Sequence, residues 1–178
     1  AAGIIDASLI ANQSKNDNML KARLGLALYL NPQSERARFL IAQELSEINQ
    51  KQSAKEQLAA IDHTGVWSQP RILLEVNLDR SDNIGFAISR LQSFLDKDRK
   101  NAFLQKELGD LYRISDQLDK ARDAYLMAIS LGLSSAALDR NLAISYEQLG
   151  EDHLAEDSFQ AALRKNPQDP FTLNYLGY

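Results

Sequence analysis

Cysteine is absent from this chain of 178 residues, so disulfide frameworks, thiolate metal sites and cysteine nucleophiles are excluded. That absence suits the cytoplasm and a bacterial periplasm or cell envelope equally, and both stay open. Proline and glycine are scarce, at 4 and 8, which favours long structured runs over folds dense in β-turns. Positive charge is short too: 20 basic side chains face 24 acidic ones, a net charge of −4. Nucleic acid ordinarily demands a basic stripe and a membrane surface a polybasic patch, so neither is an expected partner. No apolar run approaches the ~20 residues of a membrane span, so direct membrane insertion is not expected. The opening Ala1-Ala2-Gly3-Ile4-Ile5-Asp6 has no basic stretch before an apolar core and does not read as a signal peptide.

Signatures of chemistry are missing as well. The histidines, His63 and His153, lie far apart without the spacing of a His-Glu-x-x-His site, and are expected in a loop and on a helix surface. The glycines are isolated, so there is no phosphate-cradling loop, and no Gly-x-Ser-x-Gly elbow occurs. Acidic pairs such as Glu151-Asp152 and Glu156-Asp157 fall near an expected helix start, where the macrodipole already favours them. No catalytic centre, metal or cofactor is expected, and the chain is not expected to be an enzyme.

What is present is an ordinary folded-protein composition, 44% hydrophobic and 25% charged, arranged as a repeat. Leu108-Gly109-Asp110-Leu111-Tyr112 is followed by Ala121, Tyr125 and Ala128. A step of 34 residues reaches Leu142-Ala143-Ile144-Ser145-Tyr146, followed by Ala155, Phe159 and Ala162. Backwards from Ala121 the same position reads Ala87, Ala54 and Leu20. The large residue four places on reads Leu24, Leu58, Leu91, Tyr125 and Phe159. Units are therefore expected at 1–34, 35–67, 68–101, 102–135 and 136–169, with another opening at Pro170.

Within a unit the apolar period is helical. Leu104, Leu108, Leu111 and Tyr112 share one helix face, and Leu118, Ala121, Tyr125, Ala128 and Ile129 share a second. Ser115-Asp116-Gln117 is the turn between them. Gly150 suits a left-handed C′ position, Asp169-Pro170 reads as N-cap then N1, and Ser34 is a further cap. Gly109 with Ala121, Ala143 with Ala155 and Ala42 with Ala54 are the expected close contacts of paired helices. Tyr125 and Phe159 are expected to fill the space between successive hairpins, and Trp67 to plug the seam near Gly65 and Pro70. A single hairpin leaves an apolar side uncovered, so stacking supplies the core. The Asn12-Gln13-Ser14 sequon matters only in a glycosylating compartment.

These positions resemble the tetratricopeptide repeat (TPR) family of 34-residue helical hairpins. That family places Leu-Gly, Tyr or Leu, Ala, an aromatic, Ala and Pro in the order found here, and the likeness covers essentially the whole chain. It implies an all-α fold, a right-handed α-solenoid of antiparallel hairpins in a single domain. The unit at 68–101 departs: Glu75 stands where Gly or Ala is expected and Phe94 replaces the second Ala. A carboxylate at a close crossing is costly to bury unpaired, so this hairpin should splay, or Glu75 should reach solvent or meet an arginine. The ending Thr172-Leu173-Asn174-Tyr175-Leu176-Gly177-Tyr178 is similar to part of larger bacterial envelope-associated TPR proteins, which implies a fragment. A unit stopping inside its first helix leaves an apolar face open to self-association.

By the same resemblance, the first helix of every unit lines a concave face that holds a protein or peptide. The implied groove positions are Arg36, Phe39, Leu40, Gln43 and Ser46 in one unit. Gln69, Ile72, Leu73, Val76 and Asp79 make an apolar strip in the next. Phe103, Lys106, Glu107, Asp110 and Arg113 follow, then Ala137, Arg140, Asn141, Ile144 and Glu147. Phe39, Ile72, Val76 and Phe103 would anchor apolar side chains, and Lys106, Arg113 and Arg140 would meet carboxylates. The plainer expectation for Lys106, Glu107, Asp110 and Arg113 is mutual i,i+3 and i,i+4 pairing on a solvated face. The carboxylate clamp of chaperone-binding members does not fit, because Asp110 stands where that motif needs asparagine. The expected function is a protein-interaction scaffold; the alternative is a recruiting segment of a larger enzyme whose catalytic domain lies outside this chain.

Overall fold

The computed structural model describes residues 25–97 and 100–177. Among them no strand occurs. Residues 25–30 are helical, and helices follow at Glu35–Glu47 (α1), Lys51–Ala59 (α2), Ser68–Arg80 (α3), Ile84–Leu95 (α4), Ala102–Ile114 (α5), Leu118–Ser130 (α6), Ala136–Gln148 (α7), Asp152–Lys165 (α8) and Pro170–Leu176 (α9). The expected anchors Leu20 and Leu24 and the sequon at Asn12 lie outside the described residues. None of the described helices is long and apolar enough to cross a membrane.

Two kinds of helix start recur, the first of them also at α4, where the Asn83 side chain accepts from the Gly85 N–H. The side chains of Ser34, Asn101, Ser135 and Asp169 accept from the backbone N–H groups of Ala37, Leu104, Leu138 and Thr172, capping α1, α5, α7 and α9. Gln50, Gln117 and Glu151, which precede α2, α6 and α8, make no side-chain cap bond. Their backbone N–H groups instead bond back to the carbonyls of Leu45, Tyr112 and Tyr146 at 2.8, 2.9 and 2.9 Å. Each closes a Schellman turn whose preceding residue is left-handed: Asn49 (φ +59°), Asp116 (φ +61°) and Gly150 (φ +76°). One residue thus ends a helix and begins the next, which is how a three-residue turn suffices.

A methyl added at Gly150 would meet nothing within 4 Å, so Gly150→Ala tests the backbone alone. It should lower stability by about 1 kcal/mol, the left-handed penalty of a residue with a Cβ, read from the midpoint of urea unfolding.

The chain divides into two compact units, Ala1–Leu78 and Asp79–Tyr178. In the first, α1 and α2 pack where Ala42 and Ala54 are both fully buried. Leu58, Ile61 and Leu78 complete that core, with Phe39, Leu45, Trp67 and Leu74 partly buried against it. Trp67 packs its indole on the Phe39 ring, centroids 5.2 Å apart, so it fills a gap behind the loop between α2 and α3. Of the outcomes open to Glu75, the arginine is the one found. Glu75 is buried and accepts from Arg71 Nη1 at 2.6 Å, one helical turn away. Arg71 Nη2 lies 2.6 Å from His63 Nδ1. A guanidinium has only donors, so the facing ring nitrogen is the acceptor of that contact.

In the second unit α5 packs with α6 and α7 with α8, and α6 also packs against α7. Ala121, Ala128, Leu138, Ala143, Phe159 and Ala162 lie at the centre with Leu104 and Leu108. A Cβ on Gly109 would stand 2.5 Å from Cε1 of Tyr125 and 2.6 Å from its Cδ1. The glycine therefore makes room for the tyrosine ring. Tyr125 is fully buried, and its ring lies on the preceding helix of its own hairpin. Phe159 does meet the next hairpin, its centroid 4.0 Å from that of Tyr175 on α9.

Candidate protein-binding face

In the second unit α5, α7 and α9 are the first helices of successive hairpins, each begun by a side-chain cap. Asp110 is the hub of their shared face. Its Oδ1 accepts from the Tyr125 hydroxyl at 2.7 Å and from Asn141 Nδ2 at 2.9 Å. Its Oδ2 meets Lys106 Nζ at 2.6 Å, and Lys106 also reaches Glu107 at 3.0 Å. Lys106, Asp110, Tyr125 and Asn141 come from three helices, α5, α6 and α7, and the bonds tie one hairpin to the next. Burial pulls the Lys106 ammonium down, but the hydrogen bonds to Asp110 and Glu107 outweigh it and hold the group above its ordinary value. Burial, then the Asp110 carboxylate beside it, pushes the Tyr125 hydroxyl far above the ordinary phenol range. It is a permanent donor.

A second tie joins α7 to α9. Arg140 Nη1 donates to both oxygens of Asp169, at 3.0 and 3.1 Å, and its guanidinium lies over the Phe171 ring, 5.8 Å from the centroid. Asp169 also accepts from the hydroxyl and the backbone N–H of Thr172. Those bonds, the Thr172 hydroxyl first and then Arg140, hold its carboxyl below the usual carboxylate range. A depressed folded value means stability that is whole above the unfolded pKa, about 3.9, and is lost as pH falls through the folded one. Asp169→Asn keeps a competent cap but no longer titrates. The fall in urea midpoint below about pH 4 should be shallower in that variant.

Two of the cations expected to await a partner's carboxylates are thus committed already: Lys106 and Arg140 hold Asp110 and Asp169. Arg113 lies near the Tyr125 hydroxyl, with its Nε buried and unpartnered. The i,i+4 pair of Lys106 and Asp110 follows the plainer expectation, extended by two partners from other helices. Asn141 is turned to Asp110, in keeping with the poor fit to a carboxylate clamp. Ile144 is half-buried and Glu147 exposed; Glu147 accepts from the Tyr175 hydroxyl. The exposed large apolar side chains on this face are Phe103, Phe171 and Tyr175, at 41%, 51% and 41%.

In the first unit the expected groove residues scatter. Arg36 and Gln43 are exposed, and Arg36 lines a shallow recess with Ser34, Asp62 and Trp67. Leu40 is half-buried, and Phe39 is engaged with Trp67. Ile72 and Val76, expected as anchors, are buried to 2% and 6% exposure and present no surface. Asp79, at the start of the second unit, is buried and paired with Arg90. On α3 the buried set is Arg71, Ile72, Glu75, Val76, Leu78 and Asp79. That wide face includes Ile72, Val76 and Asp79 of the positions carried over as ligand-facing, while Gln69 and Leu73 are half-buried. Phe171 and Tyr175 stood outside the expected groove, although they fall where Phe103 and Glu107 stand in the earlier unit.

No family model matches the chain, and no curated protein sequence does. Solved structures do. MamA is similar at TM-score 0.69 and 20% identity over 94% of each chain. YrrB, described as a TPR protein with an unusual peptide-binding site, is similar at TM-score 0.68 and 15% identity over 94% of this chain and 89% of its own. pilF of Pseudomonas aeruginosa is similar at TM-score 0.72 and 15% identity, over 93% of this chain and 76% of its own.

Proposed function

We propose, from a tetratricopeptide-repeat fold whose described residues carry no constellation for chemistry, that this chain is a non-catalytic interaction scaffold that holds a protein or peptide on its first-helix face. One observation carries the reading. Phe103, Phe171 and Tyr175 stand exposed on a face where Asp110 and Asp169 are already paired. Aromatics on a rigid support are the side chains that dominate binding energy at interfaces. Helices fixed to each other by Asn141–Asp110 and Arg140–Asp169 supply that support. The likeness to YrrB adds to the reading by analogy of fold.

The test is capture of partners from the source cell by the wild-type chain and by a Phe103→Ala, Phe171→Ala double variant. A specific partner recovered by the first should fall about tenfold or more with the second, the effect of losing interface anchors, at unchanged helical content. Equal recovery would remove the face assignment.

A further inference from the structure

His63 stands in the loop between α2 and α3 and is exposed, as are Asp62, Thr64 and Val66 beside it. Polar ties hold that loop to the helices around it. The Asp62 N–H donates to Glu35 Oε1 on α1 at 2.7 Å. The His63 ring meets Arg71 on α3, its Nδ1 2.6 Å from Nη2. Arg71 is only 3% exposed, and its Nε has no partner among the described residues. Nη1 serves Glu75, so the imidazole is the acceptor at the other end of a buried guanidinium.

The two ties answer differently to acid. Carboxyl groups ordinarily titrate at about pH 4, whereas histidine ordinarily takes its proton between about pH 8 and 5. Once protonated, both ring nitrogens carry N–H groups, so no rotation of the ring restores an acceptor. Two cations would then face each other across 2.6 Å. Arg71 is buried and paired with Glu75 along its own helix, so the exposed ring is the one that moves. Asp62, its neighbour in the chain, offers the imidazolium a carboxylate whose Oδ1 accepts from the N–H and hydroxyl of Thr64. With the ring gone, Nη2 lacks its acceptor, a loss that water entering between the loop and α3 repairs.

We propose that His63 and Arg71 form a pH-sensitive latch: the uncharged ring fastens the loop at 62–66 to α3, and protonation of the ring releases it. Release loosens the wall that Asp62 and Trp67 give to the recess beside Arg36, and with it the packing of Trp67 on Phe39. The latch does not depend on the first-helix face being a binding surface.

Trp67 is the only tryptophan of the chain, so its fluorescence reads this loop alone. Between pH 8 and pH 5 its emission should move to longer wavelength and become more open to quenching by acrylamide, at unchanged helical content. His63→Asn sets an amide oxygen as many bonds from the backbone as Nδ1, accepts from Arg71 and does not titrate. That variant should keep the pH 8 behaviour at both pH values. His63→Ala has no acceptor and should show the released behaviour at both. His153→Asn removes the other histidine, on α8, and should respond to acid as the wild type does. A wild-type emission that is the same at pH 8 and pH 5 would overturn the latch. So would a response that survives in His63→Asn, or a His63→Ala variant indistinguishable from the wild type at pH 8.

Discussion

Tyr125→Ala should destabilise the second unit by about 3–5 kcal/mol, the range for truncating a fully buried aromatic. Three losses coincide at this one side chain. Its ring is fully buried, it lies against the bare backbone of Gly109, and its hydroxyl is a donor to Asp110. Tyr125→Phe isolates the hydroxyl and should cost about 1.5–3 kcal/mol, the worth of a hydrogen bond to a charged group. Gly109→Ala approaches the same contact from the other helix. Its methyl would overlap the ring at 2.5 Å, and the ring cannot retreat without giving up Asp110. Overpacking of this kind costs about 1–3 kcal/mol, against about 1 kcal/mol gained from better helix propensity. The sign should therefore reverse in the double variant: once Tyr125 is alanine, Gly109→Ala should stabilise by about 1 kcal/mol. Urea unfolding of the four-member cycle reads this directly. Additive effects would mean that the two residues are not in contact.

Arg71 carries the other large expectation, in the first unit. Replacing it with alanine leaves the buried Glu75 carboxylate without its guanidinium, and breaking a buried pair on one side costs about 3–5 kcal/mol. Glu75→Ala leaves the opposite charge stranded and should cost a similar amount. Removing both charges together, as Arg71→Leu with Glu75→Leu, should be near neutral or stabilising by about 1–4 kcal/mol. Denaturation curves of the wild type and these three variants suffice. Single variants that unfold like the wild type would show the pair to be solvated and idle.

How much of this could be read beforehand differs from residue to residue. The small residues at Ala42, Ala54, Ala121, Ala143 and Ala155 recur at a fixed interval because every hairpin has the same crossing to relieve, and all are buried as anticipated. Gly150 and Asp169 declare a left-handed turn and a cap by residue type alone. Glu75 announced a conflict without its resolution, since three outcomes were compatible with its position. The binding face was harder. Lys106 and Asp110 are legible as an i,i+4 pair, but Tyr125 and Asn141 join them from helices 15 and 31 residues distant from Asp110. Nothing along the chain marks which of many polar side chains will converge on one carboxylate. Ile72 and Val76 misled for a related reason: an apolar residue at a surface-facing position looks the same in sequence whether or not something covers it.

Local chemistry therefore determined the helices, their turns and their caps, because each depends on residues within a few places of one another along the chain. The interval of the repeat determined how those helices pair, because one crossing geometry needs one set of small side chains. Part of the allocation of charges was decided only when the helices came together. Asp110 took Tyr125 and Asn141, and Asp169 took Arg140, donors that packing brought within 3.1 Å from elsewhere in the chain, whereas Lys106 and Arg71 reach Asp110 and Glu75 along one helix. By absorbing those donors, packing left aromatic rings as the exposed features of the face.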